Sequence, residues 1–177
     1  MESLWTTGVA KTLQGNLDFQ NNIAVSSLPP NRSDRMQYFV LQSQSKQQQQ
    51  KLDTVIFDRF YVEEAYSFAF HEHFPDATMV LDMQDMHSLR WGREQLVRDM
   101  DTTYPNNDDP FACLEQVVAY TPTTDNPHLL RELASIHRTD LTLVCSPYEL
   151  ELLQTIYQIP PHKLCPASFF VNDEHLM

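Results

Sequence analysis

The chain has 177 residues, enough for one domain that removes roughly 70% of its unfolded surface from water. Asp and Glu total 24 against 12 Lys and Arg, and the formal net charge of -12 repels phosphate backbones and excludes nucleic acid as a partner. No apolar run approaches the roughly 20 residues that span a bilayer, and the start MESLWTTGVAKTLQ has no basic region leading an apolar core, so a cytoplasmic chain without a membrane span is expected.

In chain order, Asn22 to Ser26 reads as the first short strand, and the polar, low-complexity SQSKQQQQK of Ser43 to Lys51 as a Gln-rich loop. Asp53 to Phe57 predicts a second strand, with Val55 and Ile56 both in the core. Val62 to His73 predicts a helix that sets Tyr61, Ala65 and Phe68 at helical spacing and ends in His71, Glu72 and His73. Thr78 to Asp82 is a strand, and Met83 to Met100 a long helix. Thr102 to Pro110 and Thr121 to Pro127 carry turn chemistry and read as surface excursions. His128 to His137 then carries Leu129, Leu130, Leu133 and Ile136 on one helical face, and Leu141 to Cys145 forms the next strand.

SPYE, Ser146 to Glu149, follows that strand at once. Ser at the cap, Pro at the first helical position and Glu three residues after Ser form a capping box that starts a helix over Tyr148 to Tyr157. A last strand is read over Lys163 to Ala167. The alternation predicts an α/β fold: a Rossmann-like parallel sheet with helices on both faces, joined by right-handed crossovers.

Open parallel sheets build their sites where strands end, at the carboxyl edge. Two junctions deliver polar residues there. DTVIFDRFYVEE ends its strand at Asp58 and Arg59, with Glu63 about one turn further on, a set that serves equally as an ion pair and helix-start acids. TMVLDMQDMHSLR brings Asp82, Asp85, His87 and Arg90 within two turns, so that acid, imidazole and guanidinium converge for proton transfer or sugar-hydroxyl recognition. The D-x-x-D-x-H spacing matches no established metal-ligand motif, and no metal is expected.

Cys113, Cys145 and Cys165 are widely spaced, without a CxxC pair, and read as reduced structural thiols. Only Gly8, Gly15 and Gly92 are glycines, so neither GxGxxG nor GxxxxGK[ST] can be written, and no GxSxG elbow occurs.

The succession VIFDRFYVEEAY, FPDATMVLDMQDMHSLRWGRE and RELASIHRTDLTLVCSPYELELL resembles the N-terminal half of a retaining-type GT-B glycosyltransferase of the family 4-like group, over Asn22 to about Phe170. The resemblance implies half of a GT-B architecture, with residues 1–177 forming the acceptor-side domain, incomplete because its leading strand and the C-terminal donor-binding domain are absent. Asp85 and His87 are then the catalytic candidates. Asp58, Arg59, Glu63, Asp82, Arg90, Ser146 and Glu149 are the substrate-binding candidates. It also implies a sugar acceptor as partner, no cofactor in this chain, and a nucleotide-sugar donor for a full-length form. Transfer needs donor and acceptor held together, so the chain alone is expected to be inactive and to need a second chain or the missing domain. A non-catalytic sugar- or protein-binding module of the same fold, and a small α/β enzyme using an Asp85 and His87 acid-base pair, are the alternatives.

Overall fold

The computed structural model describes residues 52–103 and 114–167. The strand read over Asn22 to Ser26, the Gln-rich loop at 43–51, the opening segment and Cys113 lie outside them. Among the described residues four parallel strands form one sheet in the order β1-β2-β3-β4: β1 Thr54–Asp58, β2 Thr78–Asp82, β3 Leu141–Val144 and β4 Leu164–Pro166. The helices are α1 Phe60–His73, α2 His87–Thr103, α3 Leu114–Ala119, α4 Leu129–Arg138 and α5 Pro147–Thr155, with a 3-10 turn at Pro161–Lys163 before β4. The fold is α/β, a Rossmann-like parallel sheet flanked by helices. Among the described residues no helix is long and apolar enough to cross a membrane.

Among the described residues, strands added in sequential order with crossovers of one hand bring α1, α4 and α5 to the same face of the sheet. Accordingly Val55 and Phe57 of β1, Met79 and Leu81 of β2, Val144 of β3 and Leu164 of β4 share one cluster with Leu129 and Ile136 of α4 and Leu152 and Leu153 of α5. Phe57 meets Phe70 of α1 edge-on, with ring centroids 6.0 Å apart.

Alternate strand residues face opposite ways, and this corrects one expectation. Val55 is buried, but Ile56 points to the other face of β1, which is at the edge of the sheet among the described residues, and is 63% exposed.

Two helical faces also differ from their reading. Phe68 is 69% exposed, because α1 turns Phe60, Glu63 and Ser67 inward at helical spacing. Glu63 is fully buried there, accepting from Arg138 Nε at 2.9 Å, Arg138 Nη2 at 2.5 Å and Ser135 Oγ at 2.7 Å. The stripe joining α1 to α4 is therefore polar, which hydrophobic periodicity cannot register. On α4, Leu129 and Ile136 are buried and Leu130 is exposed, one residue off the inward stripe.

Element boundaries moved little except at α2. That helix begins at His87 rather than Met83, because Gln84 sits at φ 57, a left-handed conformation that no helix accommodates. The Asp82 side chain accepts from Gln84 N–H at 3.3 Å and holds the turn. Residues 83–86 therefore form a loop over the carboxyl edge.

Candidate functional site

β1 and β2 run in register to their ends, where Asp58 pairs with Asp82. The next backbone N–H, that of Arg59, donates to Asp82 O at 2.8 Å. Arg59 takes φ 72 and ψ 161, a region nearly reserved for glycine, and so carries real backbone strain at the mouth of α1. Its side chain is held by three hydrogen bonds to two partners. Nε and Nη2 donate to Gln84 Oε1 at 3.1 and 2.6 Å, and Nη1 donates to Tyr61 OH at 2.8 Å. Gln84 Nε2 in turn donates to Asp58 Oδ1 at 2.7 Å. Two strained residues from two loops thus present a polar arm of Asp58, Gln84, Arg59 and Tyr61. The hydrogen bond to Tyr61 further raises the Arg59 pKa, keeping it cationic.

Behind this arm lies the Asp85 group. Asp85 turns Oδ1 toward His87 Nε2 at 3.4 Å and Oδ2 toward Arg90 Nη1 at 3.0 Å. The first distance is long for a hydrogen bond, and His87 Nε2 is buried without a hydrogen-bond partner among the described residues. The imidazole packs edge-on to Phe60, centroids 5.5 Å apart, and beside Tyr61 at 5.9 Å. Burial in this aromatic setting lowers the His87 pKa, and the Asp85 charge opposes that only in part, so the ring is neutral near pH 7. A neutral imidazole beside a carboxylate is able to take a proton, and the carboxylate then stabilises the imidazolium formed.

Distant carboxylates fix the loop that carries these groups. Glu132 of α4 is buried and accepts from the consecutive N–H groups of His87 at 2.5 Å and Ser88 at 3.0 Å. Glu149 of α5 accepts from Met86 N–H at 3.0 Å. These donors have no intrahelical acceptor, and the helix dipole favours negative charge at this end. Burial nevertheless pushes the Glu132 carboxyl up to about 7 and raises Glu149, against the backbone donors that pull both down. Asn126 completes the clamp, donating Nδ2–H to Ser88 O at 2.7 Å while its Oδ1 accepts from His128 N–H at 3.0 Å. Tyr120 OH lies 3.2 Å from the same Asn126 nitrogen, and its ring covers Gly92, where a Cβ would overlap it.

Of the residues singled out from sequence, Asp58, Arg59, Asp82, Asp85, His87 and Arg90 gather at the carboxyl edge. Ser146 and Glu149 stand at the start of α5 and serve backbone groups: Ser146 Oγ accepts from Glu149 N–H at 3.4 Å as the helix cap, and Glu149 holds Met86. Glu63 is not brought to the edge; it belongs to the buried pair with Arg138. Gln84, Tyr61, Glu132 and Asn126 were not singled out. Glu132 lies inside RELASIHR, but its partners are 44 and 45 residues away, and no local pattern signals them.

Cys145 donates its thiol to Gln84 O, and burial raises its pKa, so it stays a protonated strut of the loop. Cys145 and Cys165 are free and half-buried. Among the described residues no group of three or more His, Cys, Asp and Glu is arranged to hold a metal ion. No protein-family model, no curated protein and no solved structure matches the chain.

Proposed function

We propose that this domain presents a sugar acceptor for glycosyl transfer, as the acceptor-side half of a GT-B glycosyltransferase whose nucleotide-sugar donor is held by another domain or chain. The observation that carries the reading is His87 Nε2 set 3.4 Å from Asp85 Oδ1, with Arg90 on the other carboxylate oxygen, at the carboxyl edge of a parallel sheet. The ordered motifs of the sequence point the same way. His87 accepts the proton of the acceptor hydroxyl, Asp85 balances the charge that develops, and Arg90 holds Asp85 in place. The acceptor oxygen bonds to the anomeric carbon as the nucleoside diphosphate departs with the electron pair. Arg59, Gln84 and Asp58 supply the donors and acceptors that orient the sugar.

The test uses the native protein with whatever domain or chain accompanies it, a panel of nucleotide sugars and acceptors, and release of nucleoside diphosphate as readout. His87→Gln, which keeps most of the ring's volume against Phe60, and Asp85→Ala should lower release by about 100-fold or more with little change in thermal midpoint. Full turnover in both variants overturns the assignment. The Asp85 to Arg90 contact at 3.0 Å also favours a second reading, a sugar-binding module without turnover. That module shows saturable sugar binding and no diphosphate release in the same assay.

A further inference from the structure

Arg59 stands where the fold asks for a glycine. At φ 72 and ψ 161 a side chain brings strain that glycine does not feel. Its backbone roles are ones that glycine fills as well: the N–H donates to Asp82 O at 2.8 Å, and the C=O accepts from the N–H groups of Val62 and Glu63 at 3.2 Å each. Glycine is also a favoured residue at a helix N-cap, the position Arg59 holds. Among the described residues, the hydrogen bonds of its side chain go only to Gln84, itself at φ 57, and to Tyr61. Strain kept for contacts within one part-exposed arm, and not for the core, marks a functional site.

The guanidinium commits three of its N–H groups to those partners, and the remaining donors are open to a ligand. Asp58, with a side chain 61% exposed, accepts from Gln84 Nε2 through Oδ1, and its Oδ2 has no hydrogen-bond partner among the described residues. Asp58 lies 3.8 Å from Arg59, so the arm presents no unopposed charge, and Asp85 and Arg90 pair in the same way at 3.0 Å behind it. The Tyr61 ring is 41% exposed and fixed in place: its hydroxyl accepts from Arg59 Nη1, and the ring meets Phe60 edge-on at 5.5 Å and His87 at 5.9 Å. Donors and acceptors without net charge, next to a rigid aromatic face, suit an uncharged ring that is polar at its rim and apolar on one face.

The geometry points to Arg59 and Tyr61 as specificity-determining residues that select a neutral pyranose, with vicinal hydroxyls on Arg59 N–H and Asp58 Oδ2 and a C–H face on the Tyr61 ring. Each hydroxyl both donates and accepts, so a neighbouring pair matches a guanidinium donor beside a carboxylate acceptor. The C–H face covers aromatic surface that otherwise meets water. As an acceptor subsite the assignment rests on the transferase reading, while the binding itself requires no transfer.

The experiment titrates the full chain, by ligand-observed NMR, with the methyl pyranosides of glucose, galactose and mannose, each beside its uronic acid form and its open-chain alditol, and records a thermal melt of every variant. At least one pyranoside should bind, its uronide no more tightly, and its alditol, which has no fixed C–H face, about fivefold or more weakly. Arg59→Gly should weaken that pyranoside about tenfold, the equivalent of one hydrogen bond to charge, while melting at or above Arg59→Ala, which keeps the strain and loses the side chain. Tyr61→Ala should weaken it to a similar degree, and Tyr61→Phe, which keeps the ring, clearly less. The proposal is overturned if none of these pyranosides binds, if a uronide is preferred about fivefold or more, if binding is unchanged in Arg59→Gly and Tyr61→Ala, or if Arg59→Gly melts well below Arg59→Ala. Binding that survives both variants alongside His87-dependent diphosphate release leaves the transferase reading intact, and Arg59-dependent binding without release refutes that reading alone.

Discussion

Glu132 sets burial against backbone donors at the loop that carries His87, and the outcome is measurable. Its carboxyl is pushed up to about 7 from an ordinary 4.5 by burial. A folded-state value above the unfolded one means that the native state binds the proton more tightly. Stability from this group is fully present below the unfolded value and is lost as pH rises through the folded one. One pH unit of difference corresponds to about 1.4 kcal/mol, so the full loss is about 3 kcal/mol, and about 2 kcal/mol falls between pH 5.5 and 8. That window also stays clear of the isoelectric point near 4.8.

Glu132→Gln keeps the volume and removes the titration. The difference in unfolding free energy between wild type and this variant, from urea melts at pH 5.5, 6.5, 7.2 and 8, cancels every other titrating group. It should fall by about 2 kcal/mol across the series in the sense that the wild type loses relative stability. Parallel curves would refute the reasoning. A wild type that gains relative stability as pH rises would show that the N–H groups of His87 and Ser88 outweigh burial.

Two contrasts test the packing. Val55→Ala should cost about 1 to 3 kcal/mol in a urea melt and Ile56→Ala less than about 0.5 kcal/mol, since only the first opens a cavity. Arg138→Ala should cost about 3 kcal/mol or more by leaving Glu63 charged and uncompensated in the interior, whereas Glu63→Leu with Arg138→Met should lie within about 1 kcal/mol of wild type. Equal losses in the single and double variants would mean that shape, not charge, holds α1 to α4.

Element order and several boundaries were legible because local rules suffice for them. Thr78–Asp82 is bounded by turn chemistry on one side and charge on the other, and the observed strand has those limits. Ser146 caps α5 with Pro147 at its first position, while the Glu149 side chain turns to Met86 N–H instead of closing the expected capping box. In the same way Asp58 and Asp82 had to reach the same edge once their strands were parallel and adjacent.

Composition, strand and helix periodicity and capping chemistry determined from the sequence alone that this is an α/β chain with polar loops at one sheet edge, because each depends on residues close together in the chain. Only the tertiary structure decided which side of a strand or helix meets a neighbour, so Ile56, Phe68 and Leu130 face water and Glu63 does not. It also decided that Glu132 and Glu149, from helices far along the chain, seize three successive N–H groups at Met86, His87 and Ser88. Those bonds form because buried backbone donors must find acceptors, and which acceptor arrives is set by packing between distant elements.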